Sequence, residues 1–117
     1  MDRRNPINLK ARTRKLWIER GYHVANAESH FNGISFDMFN IADLFAFKAA
    51  DGLSSNIFIQ VGRWADRAAK IDALNHNPVA EDWLKCGNRI VLSLWRYKSK
   101  PGKRRTGFEL REEDFTG

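Results

Sequence analysis

Apolar and polar residues follow two different periods along this chain, and the changes of period mark its elements. In "NLKARTRKLWIERG" (8–21), Leu9, Thr13, Leu16 and Trp17 fall on one helical stripe, while Lys10, Arg12, Arg14 and Lys15 lie mainly off it. Pro6 sits just ahead of that helix, and Gly21 is placed to stop it. "YHVANAESH" (22–30) predicts a strand, and "FNGISFD" (31–37) a Gly/Asn/Ser-bearing connection. Two β-like apolar runs then flank "ADGLSS" (50–55). "RWADRAAKIDAL" (63–74) predicts a helix with an apolar stripe of Trp64, Ala68 and Ile71 and a basic one of Arg63, Arg67 and Lys70. Asn77-Pro78 offers an N-cap and a first-turn proline for a further helix running to Gly87. "RIVLSLWRY" (89–97) reads as a strand, and the basic "KSKPGKRRTG" turn leads to a short final strand, "FELRE".

The central hairpin has a calculable register. With Asp51-Gly52 at the centre of a tight turn, Phe45 faces Phe58 and Asp43 faces Gln60. Strand alternation then puts Asp43, Phe45, Gln60 and Gly62 on one face, and Leu44, Ala46, Ile57, Ile59 and Val61 on the other. Two apolar faces call for cover on both sides. The order α-β-β-β-α-(α)-β-β describes an α/β or mixed α+β domain with one mixed sheet and flanking helices. The 117 residues suit a single domain spanning 1–117.

Composition narrows the class. Hydrophobic residues make up 43% of the chain, with eight Phe and four Trp, enough for a packed core. No apolar run approaches the roughly 20 residues of a membrane span, and the N-terminus lacks a signal-peptide stretch. The expectation is a soluble, cytoplasmic protein without a membrane partner. Cys86 is the single cysteine, which excludes an intrachain disulfide and a cysteine zinc cluster; its default place is a small buried side chain. A net charge of +6 and a pI near 9.8 favour polyanionic partners. The basic residues concentrate between Arg3 and Lys15 and again in "KSKPGKRR" (98–105). The second cluster surrounds a Pro-Gly turn, a form suited to phosphate contacts in a groove, or simply to a solvated loop.

Asp43 is costly among apolar strands unless it ends a strand, is paired, or binds a cation. The ordinary alternative is a strand cap or a partner for Arg63 or Arg67. With Asp37 approaching from the preceding segment and the Gln60 carbonyl opposite, these oxygens would suit Mg²⁺ or Mn²⁺. Such a metal activates water and stabilises charge developing on phosphate.

"FDMFNIADLFAFK" followed by "IFIQVG", in this order of elements, resembles the PD-(D/E)XK nuclease superfamily, with closest similarity to small phage-encoded, Holliday-junction-resolvase-like members. The resemblance implies a restriction-endonuclease-like core and a metal-dependent DNA endonuclease, with branched DNA among its substrates and a homodimer as its assembly. Asp43 matches the first metal-binding acid and Gln60 takes the place of the second, while Gly62 stands where the family's lysine belongs. Asp37 corresponds to an extra upstream acid of some small members. A cationic role must then move to the next helix, where Lys70 is preferred over Arg67 and Arg63 because arginine shuttles protons poorly. Arg12, Arg14, Lys15, Arg63, Lys98, Lys100, Lys103, Arg104 and Arg105 become the DNA-backbone contacts. The alternative on the same fold is a DNA-binding module that has lost catalysis.

Other signals are weaker. Glu19 and Glu28 read as surface carboxylates before they read as ligands. "NHN" (75–77) fits a polar helix junction, and His23, His30 and His76 show no ligand spacing. No GxxxxGK[ST] motif supports ATP binding. Trp17, Trp64, Trp83 and Trp95 fall within periodic elements and read as core or near-core.

Overall fold

Strands that are apolar on both faces need helices on both, and this chain supplies them from either side of the hairpin. The computed structural model describes residues 8–31, 34–49, 56–98 and 107–117, with the backbone alone for 28–31, 34–37 and 98. Helix α1 (Leu9–Glu19) precedes strands β1 (His23–Asn26), β2 (Glu28–Phe31), β3 (Ile34–Asp37), β4 (Leu44–Phe47) and β5 (Ile57–Arg63). A 3₁₀ turn (Trp64–Asp66) leads into α2 (Arg67–Asn75) and α3 (Pro78–Lys85), followed by β6 (Arg89–Lys98) and β7 (Gly107–Asp114). One five-stranded mixed sheet has the order β1-β4-β5-β6-β7, with only the β5–β6 pair parallel. β2 and β3 form a separate antiparallel hairpin. The fold class is thus α+β with flanking helices.

The β4–β5 register is the expected one: Phe45 faces Phe58 and Ala46 faces Ile57. The Asp51-Gly52 turn itself lies outside the described residues. The two faces separate as the alternation requires. Leu44, Ala46, Ile57, Ile59 and Val91 pack beneath Trp17 of α1. Phe58, Ile90, Leu92 and Leu94 pack beneath Leu74 of α2 and Ala80 of α3, with Trp83 and Leu84 alongside. The Trp83 ring stacks on Phe58 at 3.9 Å. Each fully buried aliphatic side chain of this kind stabilises the fold by about 1.5–3 kcal/mol.

Local capping sets the helix ends. The Asn8 side chain accepts a hydrogen bond from Ala11 N–H at 2.9 Å, and Asn77 does the same for Val79 N–H at 2.9 Å with Pro78 in the first turn. Thr13 is fully buried on α1. Its hydroxyl donates to the Leu9 carbonyl at 2.7 Å and accepts from Trp95 Nε1 at 2.8 Å, tying α1 to β6.

Several sequence expectations are corrected. The single strand over 22–30 is two strands, parted at Ala27, and the segment 31–37 expected as a connection contains β3. The residues between β2 and β3 are Asn32-Gly33, a pair that favours two-residue hairpin loops. The helix expected over 63–74 begins later, because Arg63 completes β5, paired with Trp95 across the parallel ladder. Ala68 is exposed, and Leu74 takes the buried place on α2. Cys86 is also exposed, at the C-cap of α3, where the turn through Gly87 (φ +85°) leaves it outside the core. No helix among the described residues is long and apolar enough to cross a membrane.

Candidate functional site

Because β4 runs antiparallel to β5, the residue preceding β4 lies beside the middle of β5, next to Gln60. That residue is Asp43. Its N–H donates to the Ile59 carbonyl at 3.0 Å, and its own carbonyl accepts from Ala27 N–H at 2.9 Å, so its backbone is clamped between β5 and the end of β1. Its Oδ2 accepts from Val61 N–H at 2.8 Å. The carboxylate therefore does cap a strand, as the ordinary reading held, but with a backbone partner rather than Arg63 or Arg67. Only one of its two oxygens is committed among the described residues.

Gln60 is 7% exposed. Its Nε2 donates to the Ile41 carbonyl at 2.9 Å, while Oε1 has no hydrogen-bond partner among the described residues. The orientation is dictated by that carbonyl, since the flipped amide would set two acceptors against each other. A buried carbonyl oxygen without a donor is an uncommon arrangement that calls for an explanation.

The space at Gly62 is occupied from another element. A Cβ built on Gly62 would collide with Cε of Lys70, and Lys70 Nζ would lie 3.1 Å from it. Lys70 reaches back from α2 and lies over the Gly62 backbone, on the face shared with Gln60. Strand rise separates positions 60 and 62 by roughly 7 Å. Lys70 makes no ion pair among the described residues.

The other two cations of the expected stripe point elsewhere. Arg63 belongs to the strand and is exposed. Arg67 is turned towards β7, donating from Nε and Nη2 to the two carboxylate oxygens of Glu113 at 2.6 Å each. This fork holds the Glu113 carboxyl below its ordinary range, chiefly through hydrogen bonds from Arg67, and correspondingly raises the Arg67 guanidinium. Nothing in the sequence spacing foretold this pair, because its partners lie 46 positions apart.

The remaining expected residues are dispersed. Asp37 ends β3, facing Glu28 in register, and the next residue, Met38, donates its N–H to the Ala27 carbonyl at 3.0 Å. Asp37 is thus brought by its backbone to the strand junction that also clamps Asp43. Arg12 lies over the rings of Phe108 (4.9 Å) and Trp95 (5.7 Å), and Arg14 and Lys15 are exposed on α1. Lys98 ends β6, opposite Gly107. Lys100, Lys103, Arg104 and Arg105 lie outside the described residues. Glu19 is exposed; its neighbour Arg20 pairs with Glu112 through two 2.7 Å bonds.

One feature beside the site escaped the sequence reading. Phe39 and Asn40 both have positive φ (55° and 59°), and Ile41 N–H donates to the Met38 carbonyl at 2.9 Å, the pattern of a tight primed turn. The Asn77 side chain holds the Phe39 carbonyl at 3.0 Å. A bulky aromatic at φ above zero is strained, and Phe39 is nevertheless 58% exposed.

Among the described residues no three His, Cys, Asp or Glu side chains come together. The Asp43 carboxylate and the unpartnered Gln60 carbonyl are hard oxygen donors, the kind that suits Mg²⁺ or Mn²⁺, with a single formal negative charge between them. Comparison with protein-family models, with curated proteins and with solved structures gives no match.

Proposed function

We propose that this chain is a restriction-endonuclease-like domain acting on nucleic acid, with Asp43, Gln60 and Lys70 as its phosphodiester-cleaving site. The observation that carries the reading is the Lys70 side chain lying over Gly62. The family the sequence resembles needs a cation at that position on the strand; this chain has glycine there and delivers an ammonium to the same place from α2. Support also comes from the clamped Asp43 carboxylate beside the middle of β5 and the buried Gln60 oxygen, which meets no donor among the described residues.

In this mechanism the Val61 N–H fixes the plane of the Asp43 carboxylate, so its second oxygen is held ready for a ligand. Gln60 presents its carbonyl oxygen because the Ile41 carbonyl occupies its amide nitrogen. A divalent cation, when bound, would supply Lewis acidity and an activated water. Lys70 stabilises negative charge on the phosphate oxygens. Arg63 is exposed beside the site and holds the substrate backbone. Arg67 is removed from that role by Glu113.

The test measures cleavage of linear duplex, single-stranded and four-way-junction DNA in Mg²⁺ or Mn²⁺. Asp43→Ala and Lys70→Met should each lower the rate by about 10²-fold or more. Equal rates in wild type and both variants would refute the site. A second reading, a DNA-binding module without catalysis, is favoured by the single formal charge of Asp43 and Gln60. Its signature is salt-sensitive binding by wild type and Asp43→Ala alike, with no cleavage by either.

A further inference from the structure

A groove of about 600 Å³ opens one residue beyond Gly62, lined by Leu9, Arg63, Trp64, Trp95, Tyr97 and Phe108. It lies against the C-terminal portions of the parallel strands β5 and β6, where Arg63 faces Trp95 in register. Open sheets tend to bind ligands at such ends.

The aromatic walls are fixed and their polar atoms are satisfied. Trp64 Nε1 donates to the Leu94 carbonyl at 2.9 Å, and Trp95 Nε1 donates to Thr13 at 2.8 Å. Tyr97 packs edge-on against Phe108 (centroids 5.1 Å apart, planes at 84°) and is nevertheless 59% exposed, so most of the ring meets solvent. Cations are interleaved with these rings. Arg12 lies over Phe108 and Trp95, and Arg96 lies 3.9 Å from the Trp64 centroid while paired with Glu109 at 2.6 Å. Arg63, at the rim, is exposed and makes no ion pair among the described residues. The basic "KSKPGKRR" segment (98–105) follows Tyr97 in the sequence.

Rigid rings offer a stacking surface to any planar base, and guanidinium groups beside them bind phosphate. A duplex keeps its bases stacked on one another and has none to give; an apolar peptide has no use for the arginines. We infer that this groove takes unpaired bases of a single-stranded nucleic acid, stacking them on Tyr97 with the backbone held by Arg63. The inference rests on the nucleic-acid reading above and specifies its substrate.

The test is a fluorescence-anisotropy titration in EDTA, which silences cleavage, with labelled oligothymidylate of about 12 nucleotides and a duplex of matching length. Wild type should prefer the single strand. Tyr97→Ala should weaken that binding roughly tenfold and leave duplex binding unchanged, whereas Tyr97→Phe, which keeps the ring, should stay within about twofold of wild type. Tyr97 is exposed, so its truncation leaves the core intact, and far-UV circular dichroism checks the fold of both variants. Duplex preference in wild type, or single-strand binding indifferent to Tyr97→Ala, overturns the groove assignment while the nucleic-acid reading stands. Binding of neither oligonucleotide overturns both.

Discussion

Replacing Gly62 by alanine should make the protein more stable and its site worse. The residue lies in β5 with a backbone that L-residues adopt, so the substitution meets no strain in φ. Glycine inside a strand is destabilising by roughly 0.5–1 kcal/mol relative to alanine, so that much is available to be gained. Against it stands the new methyl group, which would overlap Lys70 Cε. That atom is near the far end of a flexible four-carbon stem, and no ion pair among the described residues holds it. Swinging it into solvent costs a few tenths of a kcal/mol, on the scale of a lost surface contact. The net expectation is a gain of about 0.5 kcal/mol, or roughly 2 °C in Tm for a domain of this size. Thermal and urea unfolding measure the first half of the prediction. Cleavage measures the second: Gly62→Ala should lose activity in the same direction as Lys70→Met, because both remove the ammonium from its place over the strand. A loss of stability above about 1 kcal/mol would mean that the space over Gly62 is not filled by a movable side chain. Greater stability with undiminished cleavage would mean that the position of Lys70 is immaterial.

Three further outcomes follow from the packing and the ion pairs. Thr13→Val keeps the shape of a fully buried side chain but strands the Trp95 indole N–H, and should cost about 1–3 kcal/mol in urea unfolding, whereas Thr13→Ser should recover most of it. Phe39→Asn places a residue tolerant of positive φ in the tight turn and should raise stability by roughly 0.5–1 kcal/mol in the same assay. The Glu113 carboxyl is held below its ordinary value by Arg67, so the pair's contribution is present above the unfolded value near 4.5 and disappears as pH falls through the lower folded value. The stability difference between wild type and Arg67→Gln should therefore be steady near neutrality and shrink in acid; a difference that persists well below pH 4.5 would contradict this assignment.

Local periodicity made much of the architecture legible. The β4–β5 register followed from an Asp-Gly pair and strict alternation, and it sorted both hydrophobic clusters correctly before any contact was known. The start of α3 at Asn77-Pro78 followed from capping chemistry. What periodicity missed was long-range. Arg67 lay on a convincing basic stripe with Lys70, yet Glu113 captures it from a strand that sequence spacing cannot bring near. Arg63 belonged to the same stripe but is held in β5 by the parallel ladder with β6. The β2–β3 hairpin was signalled in the sequence by Asn32-Gly33, a strong local cue read as mere connection. The aromatic groove was invisible because Trp64, Tyr97 and Phe108 come from three elements that sequence spacing does not bring together.

The charge balance at the strand ends bears on how the site would hold a cation. Glu113 neutralises Arg67, which leaves Lys70 over Gly62 as the cation of the site and Asp43 as its one carboxylate. Gln60 adds an oxygen but no charge. Such a site is too poor in anionic oxygen to hold a divalent ion tightly by itself, since hard cations favour sites rich in it. In the nuclease reading, Asp43 and Gln60 therefore need the substrate's phosphate oxygens to complete the donor set. Mn²⁺ should bind weakly to the protein alone and more tightly once a cleavage-resistant oligonucleotide is present, and by linkage the oligonucleotide should bind more tightly with Mn²⁺. Asp43→Ala should abolish this mutual enhancement while leaving oligonucleotide binding in EDTA intact. Calorimetry with both ligands reads the coupling directly. Tight Mn²⁺ binding in the absence of nucleic acid would show that more carboxylates converge here than Asp43, with Asp37, brought to the same strand junction, the first to be replaced.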